Sequence, residues 1–311
     1  MDDRAHATAA APARDLAGYG LVAGSFVIIG LSGSLVSWAT APGSVLLVMR
    51  FAVAAVALAL VFARRRPLRD IRRPGLWPKL LLMGALDSGA LLAYFFAIRT
   101  TGVAIATFFL FIQPVWVALL APRFLKTPTE KIVFAALAVA LAGLVIILLP
   151  SLLGDGSVNI SAVGLVVGLA GGWCYAFFQL LVKGLTKAIP STTIVTCECT
   201  LDALFILPLA LWQFVGAGAT ITARDLVAAL VLGLVCTAIA YTMWMDGVAR
   251  IRVQHSSILG FLTPVVAPLF AWVLLGEGIS LATAVGGALI VAAGVLVVVF
   301  GRDEAEGETP L

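Results

Sequence analysis

Four ionisable residues stand out for where they sit. Arg50, Asp87, Glu198 and Asp202 each fall within a long apolar stretch. A charge kept at membrane depth is expensive to hold there, and it marks a pathway, a proton relay or a tie between helices. Glu198 and Asp202 are four apart and share one face of a helix. Two carboxylates that close in a low dielectric do not both stay ionised, so a proton or a cation is expected beside them. Gating or proton coupling is one use of such a set, and fastening helices to each other or reaching the interface is the other.

Aromatic and amide side chains offer a second kind of chemistry. Tyr94 follows Asp87 by seven residues, two helical turns along one face. Tyr241 and Trp244 share a face, as do Tyr175 and Gln179. Together with Trp116 and Trp173, they are candidates for flat apolar walls with polar tips around a small substrate. Aromatics facing lipid or the interface look the same in a sequence. Gln113 and Thr263 each precede a proline, Pro114 and Pro264, at mid-depth in an apolar run. An unpaired amide or hydroxyl costs about 1–3 kcal/mol there, so each is expected to face a wet cavity, another helix or a locally satisfied kink.

Other chemistries lack their residues. The chain has no Gly-x-x-x-x-Gly-Lys-Ser/Thr phosphate loop, no His-Glu-x-x-His and no Gly-x-Ser-x-Gly. No catalytic residue, cofactor or metal site is expected, and the chain is read as not an enzyme. Cys174, Cys197, Cys199 and Cys236 all fall in apolar runs and read as small buried side chains. His6 lies in a tail, and His255 reads as an interfacial residue.

The elements that must position these residues are membrane helices. The chain is 62% hydrophobic and 12% charged over 311 residues, against roughly 45–50% and ~25% in soluble domains. Runs such as Ile132–Leu149 and Ile279–Phe300 match the roughly 20 residues needed to cross ~30 Å of hydrocarbon. In lipid the backbone must satisfy itself, and the alternating pattern of a barrel is absent. The expected fold is an all-α membrane protein with spans near 17–38, 44–63, 79–98, 102–122, 131–150, 160–182, 191–214, 224–248, 254–275 and 279–300. Of the 20 Lys and Arg residues, all but Arg50, Arg99 and Arg224 fall on one side if the N-terminus is cytoplasmic. The rule that basic loops stay inside therefore puts both termini in the cytoplasm, with a bacterial inner membrane the expected location. The basic run Arg64–Lys79 reads as a topology determinant against anionic lipid, with no nucleic-acid groove to serve.

The halves of the chain repeat. Gly20 and Gly24 fall on Gly164 and Gly168 at an offset of 144, Gly84 on Gly233 at 149, and Pro114 on Pro264 at 150. Five spans per repeat is an odd number, so the second copy enters from the opposite side. Two inverted-topology five-helix repeats place a substrate site near the midplane between them. The expected organisation is an N-terminal tail over 1–16, repeats over 17–150 and 160–300, and a C-terminal tail over 301–311. The Gly-x-x-x-Gly pairs read as helix contacts, with spans one and six central. At an offset of 148 Arg50 corresponds to Glu198, which suggests gate roles at the two ends.

These residues resemble the drug/metabolite transporter superfamily in its ten-helix EamA-type branch. The resemblance is carried by Gly164 through Trp173 and Tyr175 to Lys183, by Gly233–Tyr241–Trp244, and by Ser257-Ile-Leu-Gly-Phe-Leu-Thr-Pro264. Leu275-Gly-Glu277, Gly286 to Gly294, Arg50-Phe-Ala and Gln113-Pro114 complete it. Two departures are Leu125-Lys-Thr-Pro128 in place of Leu-Gly-Glu, and Ile29 where the first span commonly has Trp. The resemblance implies movement of amino acids, other metabolites or drugs, mostly outward, with aromatic amino acids exported by some members. It also implies a cavity lined by helices one, three, four, six, eight and nine.

The sequence thus reads as a secondary transporter exporting small metabolites, amino acids including aromatic ones, by alternating access. Its partners are a small-molecule substrate and the lipid bilayer, and it is expected to act as a monomer. Import or exchange of another metabolite or drug, and a scaffold or receptor without flux, are the competing readings.

Overall fold

A computed structural model of the protein describes residues 15–62, 75–154 and 161–302. His6 and most of both expected tails, along with the basic residues from Arg64 to Arg73, lie outside the described residues. Among the described residues, ten helices are long and apolar enough to cross a membrane. They are α1 (Leu16–Trp38), α2 (Gly43–Val61), α3 (Leu76–Thr101), α4 (Val103–Phe124) and α5 (Lys131–Leu153). The second five are α6 (Ala162–Thr186), α7 (Ser191–Gly216), α8 (Ala223–Arg250), α9 (Val253–Leu275) and α10 (Leu281–Phe300). No described residue is in a strand. The chain is a multi-pass membrane protein, and the expected spans agree with the helices to within a few residues.

Polar side chains set several helix starts. Asp15 accepts from the Gly18 amide at 2.9 Å, and Ser280 from that of Thr283 at 3.0 Å. Thr222 and Asp225 form a reciprocal capping box at the start of α8.

Two helices are broken at matching places. α4 parts at Ile112, between Val103–Phe111 and Gln113–Phe124, and α9 parts between Val253–Leu259 and Leu262–Leu275. Each break lies just before the expected proline, Pro114 or Pro264, whose missing amide and bulky ring cannot continue the ladder. Tighter i→i+3 bonds bridge both breaks, from Val115 N to Ile112 O at 3.0 Å and from Thr263 N to Gly260 O at 3.1 Å. α8 carries a third irregularity, a π-helical turn over Leu234–Ile239.

Packing follows the repeat. α2 lies against α7 and α5 against α10, each span paired with its own counterpart, while α3 lies against α6 as α1 does against α8. Exchanging the halves maps this set of contacts onto itself, as two inverted repeats about a pseudo-twofold axis require. Glycines permit the close crossings. A Cβ on Gly84 would come 2.6 Å from that of Leu201, and one on Gly233 would come 2.7 Å from that of Val53. The expectation for the stripes holds in α6, where Gly168 and Gly172 press on Phe109, and only in part in α1, where Gly24 approaches Met243 but Gly20 has nothing within 4 Å. Gly18 makes the close approach instead, against Arg250 and Ile251. Nor is α1 as central as α6, whose apolar stretch is the more buried of the two, 44% against 28%.

Three residues counted as basic loop or interfacial positions are buried. Lys183 is wholly enclosed, and Arg252 forms an ion pair with Glu130 at 3.0 Å. His255 is also enclosed, with Nδ1 2.6 Å from the Tyr19 hydroxyl. The loop between α8 and α9 folds back onto α1, α6 and the start of α5, which removes these side chains from water.

Candidate functional site

The four ionisable residues come together. α7 lies between α2 and α3, and it presents Glu198 and Asp202 to Arg50 on one side and Asp87 on the other. Carboxyl oxygens of Asp87, Glu198 and Asp202 all lie within 4.8 Å of one another. Arg50 and Glu198 are therefore not at opposite ends of the molecule. α2 and α7 pair across the pseudo-twofold axis, so equivalent mid-depth positions face each other.

Arg50 is held firmly. Its Nε donates to Thr237 Oγ1 at 2.8 Å and its Nη2 to the Tyr241 hydroxyl at 2.6 Å. The guanidinium carbon lies 5.1 Å from the Phe51 ring centroid and 5.6 Å from that of Tyr241, within cation–π range. The π turn is what brings Thr237 into position. Thr237 Oγ1 donates to the carbonyl of Leu232, five residues back, at 2.8 Å, while it accepts from Arg50. π turns inside α-helices gather at functional sites because they re-aim side chains in this way.

The acids have their own ties. The Ser88 hydroxyl donates to Asp202 Oδ1 at 2.7 Å, and the Asp87 carboxyl group stands beside that of Asp202. Glu198 Oε2 and Asp202 Oδ2 have no hydrogen-bond partner. Tyr175 and Gln179 of α6 stand at the edge of the cluster, with Tyr175 near Asp87, Glu198 and Arg50 and Gln179 Oε1 without a hydrogen-bond partner. Three carboxyl groups at this spacing have the donor types and separation that a metal ion uses. The guanidinium alongside already supplies one fixed positive charge.

The other expected wall residues divide. Tyr175, Phe178 and Trp244 form a stack with centroid separations of 5.6 and 5.9 Å, which carries the cluster's aromatic edge from α6 to α8. Trp244 Nε1 donates to Ser256 Oγ at 3.1 Å, fixing the ring in the core. Tyr94 bonds Thr107 at 3.2 Å and lines a narrow slot with Ala90, Ala106, Leu110 and the glycines of α6, which has no room for a ligand. Gln113 and Trp116 are at the broken turn of α4, with Gln113 Oε1 and Trp116 Nε1 unpartnered. Thr263 reaches the Phe26 carbonyl at 3.4 Å, a weak tie to α1. Trp173 is not brought to the others. It is 43% exposed on the same stripe as Val163, Val166 and Leu169, with its ring 4.1 Å from that of Phe177.

Thr237, Ser88 and Lys183 have structural parts that sequence reading did not assign. Thr and Ser are common in membrane helices, and nothing local distinguishes these two. Lys183 carried a usable signal, since it follows Gln179 by one helical turn inside an apolar face. All four cysteines are free thiols.

The sequence profile of the EamA-like transporter family matches the chain twice, over residues 16–149 and 162–300. An uncharacterised transporter of Archaeoglobus fulgidus is 29% identical over 230 residues, 74% of this chain and 78% of its own. A protein of Streptantibioticus cattleyicolor described as a probable terminal-alkyne amino-acid exporter is 30% identical over 256 residues, 80% of this chain and 81% of its own. A solved crystal structure, 18% identical, superimposes with a TM-score of 0.75 over 91% of this chain and 98% of the other, a likeness of fold.

Proposed function

Because the chain belongs to the EamA-like transporter family, whose members are named as transporters and not as enzymes, we propose that it exports small metabolites, amino acids and aromatic amino acids among them, by alternating access. The observation that carries this reading is the buried set of Arg50, Asp87, Glu198 and Asp202 between α2, α3, α7 and α8, bordered by the Tyr175–Phe178–Trp244 stack. A guanidinium and carboxyl groups at mid-depth suit a zwitterion, which carries both complementary charges. An adjoining aromatic wall suits a flat side chain. The likeness to the probable amino-acid exporter supports the same class.

The repeats, 17–150 and 160–300, are the bodies that would rock, with the breaks of α4 and α9 as hinge points. Broken helices at matching positions are where paired repeats of transporters bend around a midplane site. Both termini face the cytoplasm of a bacterium in this reading, and one chain suffices, since the duplication supplies both halves. The test is flux: purified protein in liposomes should move labelled phenylalanine or another amino acid from a panel that also holds cationic drugs. Liposomes that release and accumulate none of the panel would sink the reading.

A further inference from the structure

We propose that Val253–Leu259, the first half of α9, is the cytoplasmic gate of this transporter, and that the ion pair of Arg252 with Glu130 is the latch that holds it shut. The inference rests on the transport reading and the orientation above, and it adds the point where substrate enters and the residues that control entry.

The repeat supplies the comparison. At the offset of 150 that aligns Pro114 with Pro264, Val253–Leu259 corresponds to Val103–Phe109, the first half of α4. Inverted topology sets these two segments on opposite sides of the membrane, and their surroundings are opposite too. All seven residues of Val253–Leu259 are buried, whereas Ala106 is the one buried residue of Val103–Phe111. The second halves repeat the contrast. Gln113–Phe124, on the cytoplasmic side, buries Gln113, Pro114, Val117, Ala118 and Ala121, while Leu262–Leu275, on the outer side, buries none. Both broken helices are thus packed tightly towards the cytoplasm and loosely towards the outside. Two inverted copies in unlike packing make one of a pair of arrangements, and exchanging their packing gives the other. That other arrangement loosens Val253–Leu259 and buries Val103–Phe109.

Polar groups in the closed segment suit a surface that becomes wet. Gln254 is 1% exposed with neither polar atom of its amide bonded, and Nε2 of the wholly enclosed His255 has no partner. Gln113 Oε1, on the packed half of α4, likewise lacks one. Enclosed groups of this kind are costly in a permanent core. Water or a passing polar substrate satisfies them once the gate parts.

The charged tie on the gate is at its first turn. Arg252, the residue before Val253, sets Nη1 3.0 Å from Glu130 Oε1 and donates to the Pro128 carbonyl at 3.2 Å. Glu130 also accepts from the backbone amide of Arg302 at 3.0 Å. Glu130 and Arg302 stand at the cytoplasmic ends of α5 and α10, which lie against each other, so the ion pair fastens the half-helix to that frame. The other ties on the gate are neutral, from Tyr19 to His255 at 2.6 Å and from Trp244 to Ser256 at 3.1 Å. An ion pair made in one arrangement and absent from the other draws the equilibrium towards the one that holds it.

The experiment uses the full chain in liposomes, with a single cysteine at Ser257 or at its counterpart Thr107 in a background free of other thiols. A membrane-impermeant maleimide is supplied from each side in turn. Ser257→Cys should react slowly from the cytoplasmic side, and Thr107→Cys faster from the outer side. Adding Arg252→Gln or Glu130→Gln should speed labelling at Ser257→Cys by about fivefold or more, a shift typical of coupling between two states, and slow it at Thr107→Cys. Arg252→Lys, which keeps the charge, should stay close to the parent. Unchanged rates at both positions overturn the latch, and so do faster rates at both, which report a loosened fold. Fast labelling of Ser257→Cys in the parent overturns the gate. Any of these results with phenylalanine flux intact leaves transport standing. A parent that moves no amino acid of the panel overturns the transport reading, and with it the passage of substrate through this gate.

Discussion

Lys183 of α6 donates from Nζ to the carbonyl of Ile251 at 2.9 Å, and also to that of Val248 at 2.8 Å, so a side chain from one helix closes the carboxyl end of another. The last carbonyls of a helix have no partner within it, and here Val248 and Ile251 at the end of α8 are buried. Lys183→Met should remove this cap and lower stability by about 2–4 kcal/mol, since buried acceptors lose a charged donor. Thermal unfolding of the detergent-purified protein measures it, and an unchanged midpoint would show that the carbonyls are capped otherwise.

Arg50 and Asp87 are expected to depend on each other. Arg50→Met leaves a buried carboxylate without its counter-charge, a change that costs about 3–5 kcal/mol. Arg50→Met combined with Asp87→Asn removes both charges and should recover much of the folded yield. A double variant no better than the single one would show that Asp87 is not the partner.

Glycines on the two halves of the repeat should respond oppositely to alanine. At Gly172 a Cβ would run into the carbonyl oxygen of Phe109, and backbone cannot step aside as a side chain can. Gly172→Ala should cost about 1–3 kcal/mol. Gly20 has open space beside it, and Gly20→Ala should be neutral or stabilise by about 0.5–1 kcal/mol through the lost flexibility of glycine. Unfolding midpoints of the two variants, compared side by side, decide this.

Orientation is open to thiol labelling in a cysteine-free background. Lys187→Cys, between α6 and α7, should react only from the cytoplasm, and Gly278→Cys, between α9 and α10, only from outside. Both positions are exposed, so reagent access does not limit the result. Labelling on the opposite sides would invert the topology.

How legible this was in the sequence depends on the range of the interaction. The ten spans and the breaks at Pro114 and Pro264 are local matters of hydropathy and of one missing amide, and they were readable. The meeting of Arg50 with Glu198 was not. It requires α2 and α7 to pack face to face, and an offset between repeats says which positions correspond without saying which touch. Burial of Lys183 and His255 failed for a similar reason. Charge near a span end looks like a loop until the chain folds back over it. Trp173 and Trp244 read alike as aromatics on helices of the second repeat, yet one is on an outward stripe and the other in a three-ring stack.

A π turn is the shape that a single inserted residue takes when the ends of a helix are already pinned. α8 is pinned at one end by the capping box of Thr222 and Asp225 and at the other by Lys183. The offset between the halves steps from 149 at Gly84 and Gly233 to 150 at Pro114 and Pro264, and the turn over Leu234–Ile239 lies within that interval. α3, its counterpart, is regular throughout. One residue's worth of divergence after duplication thus turns a symmetric pair of helices into an unequal one, and the unequal member is the one that grips Arg50.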